Sequence, residues 1–234
     1  MLLNILNLYN TIYGSEHPEI ESLATEIDLD FLLKDMSKMI ASMEVGTQRI
    51  RDIVLSLRNF SRMDEADFKA VNLHDGIEST LLILQFRLKE KTERPEIQVI
   101  REYSELPLVE CYAGQLNQVF MNILVNAIDA FEESNIGRTF EELKAHPNQI
   151  RIKTQVIDNQ VIGIRISDNG KGMSEDVRNR IFDPFFTTKP VGKGTGMGMA
   201  ISYQIITEKH QGTLECISTI GQGSEFIIQI PLKQ

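Results

Sequence analysis

Two asparagines four residues apart, followed by three glycine blocks in fixed order, constrain this chain more than any other feature. Asn122 and Asn126 lie in QLNQVFMNILVNAIDAFEE. After them come Asp168-Asn-Gly170-Lys-Gly172, then GKGTGMG at 192–198, then Gly221-Gln-Gly223-Ser224. Residues four apart share a helix face, so Asn122, Asn126 and Asp129 line up on one side. Leu116, Phe120, Ile123, Leu124 and Ala127 supply the opposite, buried side. The chain therefore has to set a helix with a polar stripe against loops in which glycine lets the backbone turn tightly or approach closely.

The rest of the composition narrows the class. The 234 residues are 42% hydrophobic and 24% charged, enough for a buried core. A formal net charge of -9 argues against nucleic acid as a partner. It leaves phosphate ligands open, because a backbone nest and a metal can hold them on an acidic protein. Cys111 and Cys216 stand in apolar, strand-like runs and read as buried free thiols. No apolar run approaches the roughly 20 residues of a membrane span. The opening MLLNILNLYNTIY lacks a basic leader, since the first Lys or Arg is Lys34, and Asn4, Asn7 and Asn10 interrupt it. The expectation is a cytoplasmic chain, with membrane attachment only through a segment upstream of Met1 in a longer parent.

Periodicity divides the chain in two. Residues 1–13 read as an amphipathic helix with Leu2, Ile5, Tyr9 and Ile12 on one stripe, broken by Gly14 to Pro18. A long helix is expected over 28–62. Its Met36, Ile40, Met43, Ile50, Val54 and Leu57 keep four-three spacing, with Thr47 at the one polar step. The stripe needs a partner: either a second copy, giving a dimeric four-helix bundle, or packing within the chain alone. Charged residues 61–67 make a hinge, so the domains are read as 1–66 and 67–234. Beyond the hinge, a helix over 76–89, capped by Asn72 or Asp75, is followed by strands at 97–103 and 108–112 and a helix over 115–133. A polar insertion covers 134–148. Strands 149–157 and 161–167 flank a turn at Asp158-Asn159-Gln160. Helices at 174–182 and 197–209 and strands at 213–219 and 224–231 complete the region. The fold class is α+β: a two-layer sandwich of mixed sheet with helices on one face.

Each block suits one task around a nucleotide. Neutral asparagine oxygens beside a triphosphate suit Mg²⁺, which takes few protein ligands; alone, the pair is equally compatible with a solvated face. Asp168, at a strand end, can accept a hydrogen bond from an exocyclic amino group while Gly170 and Gly172 admit a flat base. An ordinary Asp-Asn-Gly turn is the other reading. The glycines of 192–198 open a helix and permit close phosphate approach. They match neither the GxxxxGK[ST] loop nor a dinucleotide fingerprint. Between the blocks, Phe182-Asp-Pro-Phe-Phe186-Thr-Thr-Lys189 could anchor a loop that closes as a lid. Lys189 and Lys193 could then reach phosphates, or could simply be solvated beside a hydrophobic plug.

In this order and at these spacings, the blocks resemble the catalytic ATP-binding domain of sensor histidine kinases, within the wider gyrase/Hsp90/MutL-like ATPase family. NILVNAIDA is similar to the N box, DNGKGM to the G1 box, FDPFFTTK to the F box, GKGTGMGMA to the G2 box and GQGSEF to the last glycine box. VGTQRIRDIVLSLRNFSR resembles the second helix of the dimerisation and phosphotransfer domain. The resemblance implies a mixed five-stranded sheet on three helices, ATP and Mg²⁺ as cofactors, a homodimer, and a response-regulator receiver domain as partner. Asn122 and Asn126 would serve the metal and phosphates, together with Asp129 on the same face. Asp168, Gly170, Gly172 and Met173 would hold the base. Phe182, Lys189, Lys193, Gly194, Thr195, Gly196, Met197, Gly198 and Ser224 would complete the nucleotide site, with Asn122 and Lys189 carrying catalysis. Hydrolysing relatives have a glutamate general base one turn before the metal-binding asparagine; Asn122 stands there, which favours transfer over hydrolysis. A gyrase/Hsp90-like ATPase and a non-catalytic nucleotide-binding dimer are the competing readings. None of His17, His74, His146 and His210 has the context of a phosphoacceptor, so the acceptor is expected upstream of Met1.

Overall fold

The computed structural model describes residues 68–158, 160–190 and 194–233, with scattered positions between 22 and 47. The chain divides into two compact units, 1–54 and 55–234. The helix expected over 1–13, the break after it, seam residues Ile50, Val54 and Leu57, the 61–67 hinge, Gly192 and Lys193 all lie outside the described residues. So does the four-helix bundle.

In the first unit, Asp28 adopts a left-handed φ of 47°. Its carboxylate Oδ1 accepts from the Phe31 amide at 3.4 Å, and its carbonyl accepts from Leu32 at 3.0 Å. This is the start of the long helix expected from 28, although helical positions at Ser22 and Glu26 precede it. Met36, Ile40 and Met43 of the predicted seam are helical and exposed.

The second unit is built on a five-stranded mixed sheet of order β2-β4-β5-β7-β6. Its strands are β2 (Gln98–Tyr103), β4 (Gln149–Ile157), β5 (Val161–Asp168), β6 (Thr213–Thr219) and β7 (Gly223–Pro231). β2 pairs parallel with β4, and the other neighbours are antiparallel. The period-2 pattern turns Ile150 and Ile152, Ile162, Ile164 and Ile166, and Phe226, Ile228 and Ile230 inward, all nearly fully buried. Against them lie α1 (Leu73–Ile83) and α3 (Ala113–Ser134), with Ile77, Phe120, Ile123, Leu124, Ile128 and Phe131 inside. Truncating Phe120 or Phe131 to alanine would cost roughly 3–5 kcal/mol.

Some elements differ from expectation. The strand expected at 108–112 does not join the main sheet. As β3 (Val109–Tyr112) it pairs with β1 (Phe68–Val71), a strand of four residues, too short to show a period. The helix expected over 76–89 starts at Leu73, because Asn72 caps it through the His74 amide at 3.0 Å. It breaks at Leu84 before α2 (Gln85–Leu88). The polar insertion holds α4 (Phe140–Ala145), closed by a reciprocal capping box of Thr139 and Glu142. The helix expected over 174–182 is only α5 (Glu175–Arg178). The chain continues in turns from Asn179, and Pro184 keeps helix from resuming at Asp183. The helix over 197–209 is α6 (Gly198–Gln204), which widens into a π-turn at Ile205–Lys209. There His210 Nδ1 bonds the Ile205 carbonyl at 2.8 Å, and Nε2 accepts the Tyr112 amide at 3.0 Å. Among the described residues no helix is long and apolar enough to cross a membrane.

Candidate functional site

A cavity of about 560 Å³ opens between the polar stripe of α3, the end of β5, the loop after it and the segment leading into α6. That volume suits a small-molecule ligand. Asn122, Asn126, Asp129 and Glu133 line it from α3. All four are half-buried, while the other side of the helix is in the core. The amphipathic pattern that buries Phe120 and Ile123 is what presents the asparagines.

At the sheet end, Asp168 terminates β5. Its Oδ1 accepts the Gly170 amide at 2.8 Å, and the carboxyl is also bonded by the Ser224 amide. Burial nonetheless dominates and pushes its pKa up to about 6, against the pull of the two amides. Gly172 has φ +66°, and a Cβ there would stand 2.0 Å from the Thr219 carbonyl oxygen. Only glycine fits. Met173 lines the wall, its amide held by Ser218 Oγ at 2.8 Å; that hydroxyl lies 3.0 Å from Ser224 Oγ. Gly170 lies behind the wall as a support for Asp168. Lys171 and Glu133 form an ion pair, both lining the cavity.

At the lysine end, the segment before α6 turns inward. Lys189 Nζ donates to Asn126 Oδ1 at 3.2 Å and to Asp129 Oδ2. Asp129 Oδ1 accepts Arg87 at 2.6 Å. Burial alone would raise the Asp129 carboxyl, but the bonds from Lys189 and Arg87 hold it below its ordinary value. The two asparagines divide their work. Asn122 Nδ2 donates to the Gly198 carbonyl at 2.9 Å and to Ser202 Oγ at 3.0 Å, tying α3 to the start of α6. Gly194, Thr195, Gly196 and Gly198 line the cavity. Gly196, at φ +68°, brings the chain against Phe185, where a Cβ would meet backbone at 2.4 Å.

Besides Gly170, two predicted residues stand back from the cavity. Phe182 packs its ring against Tyr203 at 5.1 Å, and Met197 occupies the N-cap of α6. From the same segment it is Phe186 that lines the cavity, with the Arg180 guanidinium 4.4 Å above its ring. Sequence reasoning missed Glu133 and Arg87. Glu133 sits seven residues after Asn126, so the helical period already pointed to it. Arg87 carried no local signal, being 42 residues from Asp129 on another element.

The donor set fits a nucleotide with a divalent cation. Among the described residues no group of three or more His, Cys, Asp or Glu could hold a metal alone. A metal here would share Asn126 with the ligand's own oxygens, and that oxygen already faces a positive charge. Asp168 offers a half-buried acceptor, and the glycine loop offers backbone at close range.

Comparison with known proteins agrees with this geometry. Residues 112–234 match the family described as histidine kinase-, DNA gyrase B-, and HSP90-like ATPase. The chain is 38% identical over 130 residues to sporulation kinase E of Bacillus subtilis, covering 56% of this chain and 15% of that protein. It is 32% identical over 184 residues to the signal transduction histidine-protein kinase AtoS of Escherichia coli, covering 78% of this chain and 27% of that protein. It thus spans about a quarter or less of these relatives. The catalytic domain of histidine kinase ThkA superposes with a TM-score of 0.57 at 25% identity, over 72% of this chain and 99% of that domain.

Proposed function

The chain belongs to the histidine kinase-, DNA gyrase B-, and HSP90-like ATPase family, and from that premise we propose that it is the catalytic core of a sensor histidine kinase. It binds Mg²⁺-ATP and transfers the γ-phosphoryl group to a histidine, for relay to an aspartate of a response-regulator receiver domain. Asp168 accepts the adenine amino group, with Gly172 and Met173 beside the base. Asn126, with Asn122 behind it, faces the metal and phosphates. Lys189 exchanges its carboxylate partner for phosphate oxygens, and Lys193, from the same loop, is proposed to join it. Bound magnesium would neutralise charge on the β- and γ-phosphates. The protein's own part is to orient them and exclude water.

The observation that carries transfer over hydrolysis is Asn122. An amide whose nitrogen is committed to Gly198 and Ser202 has no proton-accepting role toward water. His210 is buried and His74 stacks on Tyr103 at 4.4 Å, so neither is offered to a phosphate. The acceptor is proposed to lie on a bundle segment, and 1–66 to be the dimerisation region preceding a catalytic domain at 67–234. The exposed Met36, Ile40 and Met43 support dimerisation through that region. A cytoplasmic location follows, where ATP and receiver domains occur. The test is γ-labelled ATP with this chain and a separately supplied bundle segment carrying the acceptor histidine. Label on the added segment is expected. Label released only as free phosphate would refute the reading.

A further inference from the structure

Arg87 is absent from every motif, yet it is paired with Asp129 of the cavity wall. It projects from α2, a single turn whose end is clasped by Arg94. Arg94 is only 4% exposed and donates to the carbonyls of Leu88 at 3.4 Å, Lys89 at 3.1 Å and Arg87 itself. From that fixed base Arg87 Nη2 reaches Asp129 Oδ1 at 2.6 Å and Glu132 Oε2 at 2.9 Å. Lys91 stands 3.7 Å from the other oxygen of Glu132.

Asp129 thus divides its carboxylate. One oxygen belongs to Arg87 on the rigid side, the other to Lys189 on the lid side. Lys189 also occupies the oxygen of Asn126. A phosphate chain entering here needs that ammonium, and taking it removes one of the two cations on Asp129. Without Arg87, a bare carboxylate would remain beside the incoming negative charge. With Arg87, the carboxylate stays paired after Lys189 has left.

We infer that Arg87 is a positioning residue for nucleotide binding: it anchors and neutralises Asp129, so that Lys189 can leave that carboxylate for the phosphates. This rests on the reading that phosphates lie at the lysine end. The experiment uses the full chain with Arg87→Gln, Arg87→Lys, Asp129→Asn and the double variant R87Q/D129N. Affinities are measured for a non-hydrolysable ATP analogue with Mg²⁺ and for adenosine, alongside thermal melting.

Arg87→Gln is expected to weaken the ATP analogue about three- to tenfold and to leave adenosine within about twofold. Arg87→Lys keeps the charge but loses the reach of Nη2, which makes both contacts, and should recover part of the loss. The double variant should bind no worse than Asp129→Asn, because the Asp129 charge is gone and Glu132, Arg87's other partner, keeps Lys91. Equal losses for ATP analogue and adenosine, or losses that multiply in the double variant, would overturn the inference and leave Arg87 a structural brace. If Arg87→Gln does not melt cooperatively, Arg87→Lys against wild type decides, with a twofold or greater loss expected for the ATP analogue alone. A wild type that binds adenosine but no ATP analogue would overturn the functional reading and this inference together. A wild type that binds the analogue while Arg87→Gln matches it overturns only the inference.

Discussion

At the sheet end of the cavity, Asp168 hangs from the last residue of a strand paired on both sides, and Gly172 is locked against the Thr219 backbone. At the lysine end, the wall is closed by side-chain ion pairs from a segment of turns that no strand holds. The first is fixed by backbone packing and carries an uncomfortable buried carboxylate. The second is fixed by charges that a ligand can rearrange. A shape that must recognise a flat base profits from rigidity, while a site that must admit charge and release product profits from exchangeable partners.

Gly172→Ala attacks the rigid end most severely. The clash and the positive φ should cost roughly 2–4 kcal/mol and abolish ATP binding; calorimetric melting with a nucleotide titration checks this. Normal binding would mean the sheet end yields as easily as the other. Asp168→Asn comes next and should split binding from stability. The asparagine oxygen is needed by the Gly170 amide, so its NH2 would face the adenine amino group, weakening ATP about fivefold to a hundredfold. The substitution also removes a buried charge, so the melting temperature should rise. A fall in both would show that the carboxylate is structural. Lys189→Ala should weaken Mg²⁺-ATP about tenfold, leave adenosine binding alone and scarcely move the melting temperature, since Asp129 keeps Arg87. A large drop in melting temperature would erase the contrast between the ends.

The smallest effect is a pair of opposed titrations. Asp168 has a folded pKa of about 6, above its ordinary 3.8, so its penalty grows as pH rises through that window and is complete above it. His210, buried and bonded at both ring nitrogens, has its pKa lowered from 6.5, so its contribution is lost as pH falls below 6.5. Removing one group should expose the other: His210→Gln should flatten the acid loss, and Asp168→Asn should steepen it. ATP affinity should also fall as pH drops through about 6, since a protonated Asp168 is a poorer acceptor.

Asn122, Asn126 and Asp129 of α3 and Gly172 and Met173 of the loop after β5 were legible because helical period and glycine spacing are local properties. So were the five sheet strands, from short apolar runs between turn residues. What escaped depended on distance. β1 is four residues long, and its pairing with β3 lies about 40 residues away in sequence. The tie from Asn122 to Gly198 and Ser202 required α6 to be placed first. Arg87 meets Asp129 only through the fold. The helix expected at 174–182 was overlong, giving way to turns after Arg178, while the helix expected at 197–209 keeps its length and changes to a π-turn at Ile205 that no local pattern marks.

The most direct test of the account is a structure of this chain with Mg²⁺ and a non-hydrolysable ATP analogue. The account predicts the adenine amino group on Asp168, the metal on Asn126, and Lys189 withdrawn from Asp129 onto the phosphates while Arg87 remains. A base seated at the lysine end, or phosphates bound with the Lys189–Asp129 pair intact, would contradict it.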